Sequence, residues 1–472
     1  VPPPEPGTPL DLAAPRRIHV VGVGGAGMSA YAAILAELGH TVTGSDLREL
    51  PRFERLRLLG VDCLVGQRAE HVTDQLDAVV ISSAVPPTNV EVRAAAAAGV
   101  PIVSRADALA GIVASRRGIG VAGTHGKTTT SSMLTMILRA AGLQPSFLIG
   151  SEMHEVGTNE GLDTGEWLVV EADESDGTFL RLPLDAAVVT NVDNDHLWFW
   201  GDMEALRIAF REFVDGVRGP VALCADDAFL RDLAAERPGA VTYGWDERAR
   251  YRCRDYRGGP QGSSFVVERD GEVLGELQLP VLGRHNAQNA TGATALALEL
   301  GADFGAARRA LAGFGGVARR FQHRGDLDGV AIFDDYALLP PEIDATIQAA
   351  REAGYQRVVA VFQPFRYSRT QGMWAEFAHA FARADQVILT DVCGFHERPI
   401  PGVTGHLLVK AVLDAHPDLP VAYFPHRADL ARLVPTYARP GDVILTLGGG
   451  DITTLPDELL AAAGASGAGS PA

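Results

Sequence analysis

HVVGVGGAGMSA (His19–Ala30) carries an apolar strand into a helix through four glycines. Gly22, Gly24 and Gly27 satisfy G-x-G-x-x-G, with Gly25 and Ala26 completing the loop. That spacing lets backbone close on a diphosphate, while the helix N-terminus offers N–H donors and the positive end of its dipole. Asp46 follows at the end of the next strand, where an acid can take a ribose hydroxyl. Taken alone, the loop fits a redox dinucleotide and any other diphosphate-bearing nucleotide equally. Outward from it, Ile18–Val23 reads as a strand, Met28–Leu38 as a helix and His40–Gly44 as a strand. Leu56–Leu59 and Ala78–Ser82 continue the alternation and Pro101–Val103 closes it, which predicts a βαβ domain with a parallel sheet.

A second loop of this kind follows the strand Gly118–Ala122: Gly123-Thr124-His125-Gly126-Lys127-Thr128-Thr129, leading into a predicted helix Thr130–Ala141. It is a shortened phosphate loop, since position 121 is Val. Its backbone N–H groups can wrap a phosphate, Lys127 can reach the terminal one, and a Thr hydroxyl can ligate Mg²⁺. Lys127 and Lys410 are the two lysines among 41 basic residues. A chain that writes Arg nearly everywhere keeps a compact ammonium here, where a planar guanidinium would not serve. The loop predicts a nucleoside triphosphate site.

Acids come next. EADESD (Glu171–Asp176) follows the strand Trp167–Glu171, and DNDH (Asp193–His196) follows the strand Ala186–Asn191. Both lie at carboxyl ends of strands, where open α/β sheets bind ligands, and phosphates with one or two carboxylates suit Mg²⁺. Further on, Asn286 and Asn289 stand three apart at a helix start, a spacing suited to reading an adenine edge. Arg319-Arg320, Asp334-Asp335 and Arg366/Arg369 follow; paired Arg recognises carboxylate or phosphate bidentately.

At 472 residues and roughly 150 per domain, the chain should hold about three domains. With 47% hydrophobic and 21% charged residues it can bury proper cores, and a net charge of −18 is a poor footprint for nucleic acid or an anionic membrane. No apolar run is long enough to span a bilayer, and the Pro-rich start lacks a signal peptide's apolar stretch. Four scattered cysteines without a CxxC pair argue against a zinc ribbon or disulfide scaffold and point to a cytoplasmic protein. Residues 219–282 turn strand-rich, with a hairpin around Asp270-Gly271, and Gly313–Gly316 reads as a hinge into a third block with strands Ala331–Phe333, Val358–Phe362, Val387–Thr390 and Val443–Leu447. The expected fold is α/β in three domains: an N-terminal Rossmann-like parallel sheet (16–106), a central phosphate-loop ATPase-like αβ domain with a strand-rich part (107–315), and a C-terminal Rossmann-like αβ domain (316–463). A flexible tail (1–15) and a disordered one (464–472) flank them.

Two nucleotide-type loops, acids between them and an Arg-rich third block resemble the Mur ligase family over nearly the whole chain. HVVGVGGAGMSA, GTHGKTTT, EADESD, TNVDNDH, GRHNAQNA, GVARRF, FDDY, FQPFRYSRT, PIPGVTG and TLGGGDIT carry the resemblance. It implies an ATP-dependent amide ligase that joins L-alanine to the lactyl carboxylate of UDP-N-acetylmuramate through an acyl phosphate, with Mg²⁺, as a monomer or homodimer. Gly22–Gly27, Asp46, Ser82 and Ser83 would hold the UDP-sugar. Gly123 to Thr129 would hold ATP phosphates, with Lys127 on the γ-phosphate. Thr128 and Glu171 would ligate one Mg²⁺ and His196 a second; Asn286 and Asn289 would face adenine, Arg320 the phosphates and Asp335 the ribose. Tyr336, Arg366 and Arg369 would take the amino acid, and domain closure would precede reaction. Lys127, Glu171, His196 and Arg320 are the catalytic set so implied.

The chain departs from the family where two His usually follow DDYA (here Leu338-Leu339), where His usually precedes the Arg of the FQP segment (here Phe365), and after His196, where it runs Leu197-Trp198-Phe199-Trp200. No Lys lies between Lys127 and Lys410 to serve as a carbamylated metal ligand. A sister ligase taking another amino acid or a peptide, a nucleotide sensor without turnover, and an NAD(P) oxidoreductase resting on the first glycine loop are the alternative readings.

Overall fold

The computed structural model describes residues 7–153 and 155–467. The first sheet holds β1 (Arg17–Val21), β2 (Thr41–Asp46), β3 (Asp62–Val65), β4 (Ala78–Ile81) and β5 (Ile102–Ser104), all parallel in the order β3-β2-β1-β4-β5. Strand order reverses between β1 and β4, so the glycine loop after β1 opens at the switch point where such sheets bind ligands.

The second sheet has ten strands: β6 (Arg117–Ala122), β7 (Ser146–Met153), β8 (Thr158–Gly161), β9 (Trp167–Glu171), β10 (Leu184–Val189), β11 (Val221–Cys224), β12 (Val241–Gly244), β13 (Tyr251–Gly259), β14 (Gly262–Arg269) and β15 (Glu272–Leu279). Their order is β15-β14-β13-β12-β11-β10-β6-β9-β7-β8, and β7 and β8 pair antiparallel, which makes the sheet mixed. The β14–β15 turn sits on Asp270 and Gly271, both at positive φ, as expected of a tight hairpin.

The third sheet holds β16 (Gln322–Leu327), β17 (Val330–Asp335), β18 (Val358–Gln363), β19 (Gln386–Thr390), β20 (Val421–Phe424) and β21 (Val443–Gly448), in the order β16-β17-β21-β18-β19-β20. All pairs are parallel except β16–β17, so it too is mixed. Alternate residues of β18 feed two cores. Val358, Ala360 and Phe362 join Ile343 and Phe381 on one side, while Val359 and Val361 join Leu430 and Ile444 on the other. A strand buried on both faces is written as a continuous apolar run.

The packing divides into two compact units. One runs to Arg254 and takes in Val266–Leu277 and Gln288–Phe314; the other comprises Asp255–Phe265, Gln278–Ala287 and the chain from Gly315 onward. The boundary at Phe314 and Gly315 falls inside the glycine stretch read as a hinge.

Three local expectations need correction. The helix expected from Thr130 begins at Lys127, because the phosphate loop ends in the helix's own first turn. Of the stretch expected as a flexible N-terminal tail, 1–6 lie outside the described residues; Leu10 N–H donates to Asp107 O (3.1 Å), and a Cβ on Gly111 would stand 2.3 Å from Leu10 O, so this segment packs on the helix Arg105–Ala114. At the other end the helix Leu455–Gly467 continues into the stretch expected to be disordered, and 468–472 lie outside the described residues.

Candidate active site

The phosphate loop leaves β6 between β9 and β10, which is why both acidic segments meet it: Glu171 ends β9, and Asn191–His196 follow β10. Gly126 (φ +81°) backs onto Asn289, whose Oδ1 would lie 2.8 Å from any Cβ placed there. Asn289 is thereby brought against the loop. Thr124 N–H donates to Asn191 O (3.1 Å) and His125 N–H to Asn191 Oδ1 (2.9 Å), while Thr190 Oγ1 donates to His125 O (2.6 Å). These bonds fix the loop from the neighbouring strand's end.

Lys127 opens the helix Lys127–Ala140, and its Nζ donates to Gly123 O (2.8 Å). The same ammonium reaches Glu174 Oε2 at 2.8 Å and Oε1 at 3.1 Å, with Asp173 Oδ1 at 3.6 Å. Burial opposes the charge on Lys127, but Glu174 and Asp173 outweigh it and hold the group above its ordinary pKa. Burial pushes the Glu174 carboxyl up to about 7 against the pull of Lys127. Thr128 Oγ1 donates to Glu171 Oε1 (2.7 Å), and Gly150 N–H holds the other Glu171 oxygen. A hydroxyl and a carboxylate together at the foot of a phosphate loop are hard oxygen donors that fit Mg²⁺. His196, at φ +56°, has Nε2 3.2 Å from Asp195 Oδ2. The aromatic run after it has a use in the site: Trp200 Nε1–H donates to Glu174 O (3.0 Å), fixing the backbone of the residue that meets Lys127.

At the first loop, Gly22 and Val23 N–H both donate to Ser45 O (2.8 and 3.0 Å). Asp46 Oδ2 accepts from Gly24 N–H (3.1 Å) and Oδ1 from Leu47 N–H (2.7 Å), so this carboxylate shapes the loop it was expected to assist. Gly25 caps the helix Ala26–Glu37, and Ser82 and Ser83 follow β4, the strand paired with β1. Arg105 reaches from the first loop to the acidic segment after β9: Nη1 stands 3.9 Å from where a Gly27 Cβ would be, and Nη2 lies 3.4 Å from Asp176 Oδ2.

The second unit gathers the remaining residues, apart from Asn289. Asn286 Nδ2 donates to Leu282 O (2.6 Å). Arg319 binds Asp334 (3.1 Å) and Gly448 O (2.6 Å), tying β17 to β21, while the Arg320 guanidinium stands 5.5 Å from the Tyr336 ring centre. Asp335 accepts from Phe321 N–H (2.6 Å), and burial pushes it up to about 7 against Arg320. Arg366, at φ +70°, starts the helix Tyr367–Met373, which places Arg369 within its first turn. Leu338 and Phe365 meet on one glycine: a Cβ at Gly449 would lie 2.9 Å from Leu338 Cδ2 and 3.0 Å from Phe365 Cγ. Phe395 sets a further ring, tilted by 45°, with its centre 5.6 Å from that of Phe365. Leu339 is buried and caps the helix Pro340–Glu352.

Family models match nearly the whole of this arrangement: Mur ligase family, catalytic domain, over residues 17–117; Mur ligase middle domain over 121–297; and Mur ligase, glutamate ligase domain, over 319–450. The chain belongs to the Mur ligase family. This Mur ligase is 44% identical over 450 residues to the UDP-N-acetylmuramate–L-alanine ligase of Anaeromyxobacter sp. (strain Fw109-5), covering 94% of this chain and 97% of that one. It is 46% identical over 460 residues to the ligase of the same name from Acidothermus cellulolyticus, covering 96% of each. Its structure resembles that of UDP-N-acetylmuramate-alanine ligase from Thermotoga maritima with a TM-score of 0.80 at 29% identity, over 96% of this chain and 100% of that one. A murein peptide ligase from Psychrobacter arcticus gives 0.69 at 25%, over 95% and 99%.

In this Mur ligase the sequence reading passed over Asn191 and Arg105 and left the part played by Glu174 open. Asn191 had a signal in its position directly after a strand ending beside the loop. Glu174 lies in the EADESD segment that the sequence marks, and only its pairing with Lys127 needs the fold; Arg105 carries no signal, because its partners are distant in sequence.

Proposed function

We propose that this Mur ligase joins L-alanine to the lactyl carboxylate of UDP-N-acetylmuramate, with cleavage of ATP to ADP and phosphate, in the cytoplasm. The observation that carries the reading is the presence of two glycine loops of the phosphate-binding kind in one unit, with Arg105 between the first loop and the acidic segment that meets Lys127 of the second. The likeness to alanine-adding ligases along the full chain supports the choice of substrates. Among the described residues no helix is long and apolar enough to cross a membrane. The functional domains would be 16–106 for the UDP-sugar, 107–315 for ATP and 316–463 for the amino acid.

A carboxylate oxygen of the sugar attacks the γ-phosphorus and ADP leaves, giving an acyl phosphate. The amine then attacks the carbonyl carbon, phosphate departs from the tetrahedral intermediate, and the amine proton passes to solvent. Lys127 exchanges Glu174 for the γ-phosphoryl oxygens, where negative charge spreads in the transition state. Thr128 and Glu171 would hold one Mg²⁺ and His196 a second, and these ions supply further neutralisation of that charge. Asn286, Asn289 and Asp335 would hold adenosine, Arg320 the phosphates, and Tyr336, Arg366 and Arg369 the amino acid. The apolar contact of Leu338 and Phe365 on Gly449 favours one second reading, an acceptor other than L-alanine.

Phosphate release from Mg²⁺-ATP and UDP-N-acetylmuramate tests both, with no amino acid, L-alanine, glycine, L-serine or a short peptide added. Release requiring both the nucleotide sugar and L-alanine is expected. Preference for another amine would install the second reading, and silence with every acceptor would overturn both.

A further inference from the structure

A second polar cluster lies inside the first sheet's domain. His19 on β1 and Glu91 in the helix Val90–Ala98 are fully buried, and His71, at the end of the short turn Ala69–His71, is partly open. Among the described residues these three are the His, Cys and acid side chains whose donor atoms converge within 4.8 Å of one another. We propose that His19, His71 and Glu91 bind a divalent transition metal ion, with zinc the best match to two imidazoles and a carboxylate.

The decisive atom is His19 Nε2. It is buried without a hydrogen-bond partner and points at Glu91 Oε1 from 3.6 Å, beyond hydrogen-bond range. The other ring nitrogen, Nδ1, is held by Thr43 Oγ1 at 2.7 Å. In the tautomer that carries its proton on Nδ1 and gives it to Thr43, Nε2 turns a lone pair toward a carboxylate, and a cation between them removes the conflict. Fixing one imidazole nitrogen to free the other is how outer partners orient metal-binding histidines.

The carboxylate is prepared in the same way. Ser45 Oγ donates to Glu91 Oε2 (2.6 Å), and Arg68 N–H approaches Oε1 (3.3 Å). His71 Nδ1 stands 2.7 Å from Oε1. A tetrahedral ion with ligands at about 2.0–2.2 Å needs donors roughly 3.3–3.6 Å apart; His19 Nε2 already stands 3.6 Å from Oε1, and the partly exposed His71, at 2.7 Å, would draw back to seat the ion. His71, the one partly exposed member of the three, marks the side from which an ion would enter.

The test is titration of chelator-stripped full-length protein with Co²⁺ alone, read by visible absorption. One equivalent should give the strong bands of a tetrahedral site in the wild type and in His196→Ala, which lacks the active-site imidazole. His71→Ala should lose them, with metal affinity falling by more than the 10–100-fold that loss of an outer partner costs. His71→Cys, which restores a ligand, should regain them with an added thiolate-to-cobalt band. Absence of the bands in the wild type, their survival in His71→Ala, their loss in His196→Ala, or silence of a folded His71→Cys would each overturn the proposal.

Discussion

Glu174 sits on Lys127: both its carboxylate oxygens lie within 3.1 Å of the one ammonium in the phosphate loop. The lysine that is to meet a phosphate is therefore already engaged by a buried acid, and Trp200 holds that acid's backbone in place. A phosphate must displace Glu174 to engage Nζ. Replacing Lys127 by Met should lower kcat by about 10²–10³ or more, the usual cost of removing one donor to a developing charge. Lys127→Arg should recover little, because the planar guanidinium cannot reproduce the curl back to Gly123 O. Steady-state phosphate release measures both.

The same pair makes a pH signature. The Glu174 carboxyl is raised from 4.5 to about 7, so between those values the folded chain keeps a proton that the unfolded chain has released. Stability from this group is full below pH 4.5 and is lost as pH rises through about 7. Asp335, raised from 3.8 to about 7, acts in the same direction. Melting temperatures from pH 4.5 to 7.5 should therefore fall less steeply in Glu174→Gln and in Asp335→Asn than in the wild type. Equal slopes in all three proteins would contradict the buried carboxyls.

Asp46 accepts the Gly24 N–H that keeps the first loop closed. Its removal in Asp46→Ala leaves a backbone donor to find water and loosens the loop, at about 1–3 kcal/mol. The KM for the UDP-sugar should rise about tenfold with little change in the KM for ATP. Gly24→Ala should be worse, since the new methyl would stand 2.3 Å from Leu50 Cδ1.

Leu338 and Phe365 share the Gly449 turn at the carboxyl edge of the third sheet. Phe365→His should change the KM for the amino acid and its ranking among L-alanine, glycine and L-serine, while the KM values for ATP and the UDP-sugar stay within about twofold. If all three KM values move together, the turn is not part of the acceptor pocket.

Thr128 Oγ1 and Glu171 Oε1 form a 2.7 Å pair where the first Mg²⁺ should bind. Thr128→Ala should raise the Mg²⁺ concentration needed for half-maximal activity by about tenfold. A titration of Mg²⁺ at saturating ATP reads it, and chelation should abolish turnover in every variant.

Local pattern was enough to place both glycine loops, the strands that deliver them and the acids that follow β9 and β10. Each rests on residues close in the chain: Gly22–Gly27 on its strand and helix, Lys127 on the glycines beside it. Periodicity also marked β18 and β21, because strands buried on both faces must be apolar throughout. The pairing β7–β8 and the edge strand β16 were not legible, since SEM and TNEG or QHRGDL gain strand structure from a neighbour and not from their own composition. Strand order decided the rest. It put Glu174 on Lys127, Asn289 behind Gly126, Arg105 between the first loop and Asp176, and His19, His71 and Glu91 around one buried point. Those contacts join residues up to 163 positions apart (Gly126 and Asn289), and chain-local rules say nothing about them: which side chains meet is fixed by how parallel strands are ordered and packed once the cores exclude water.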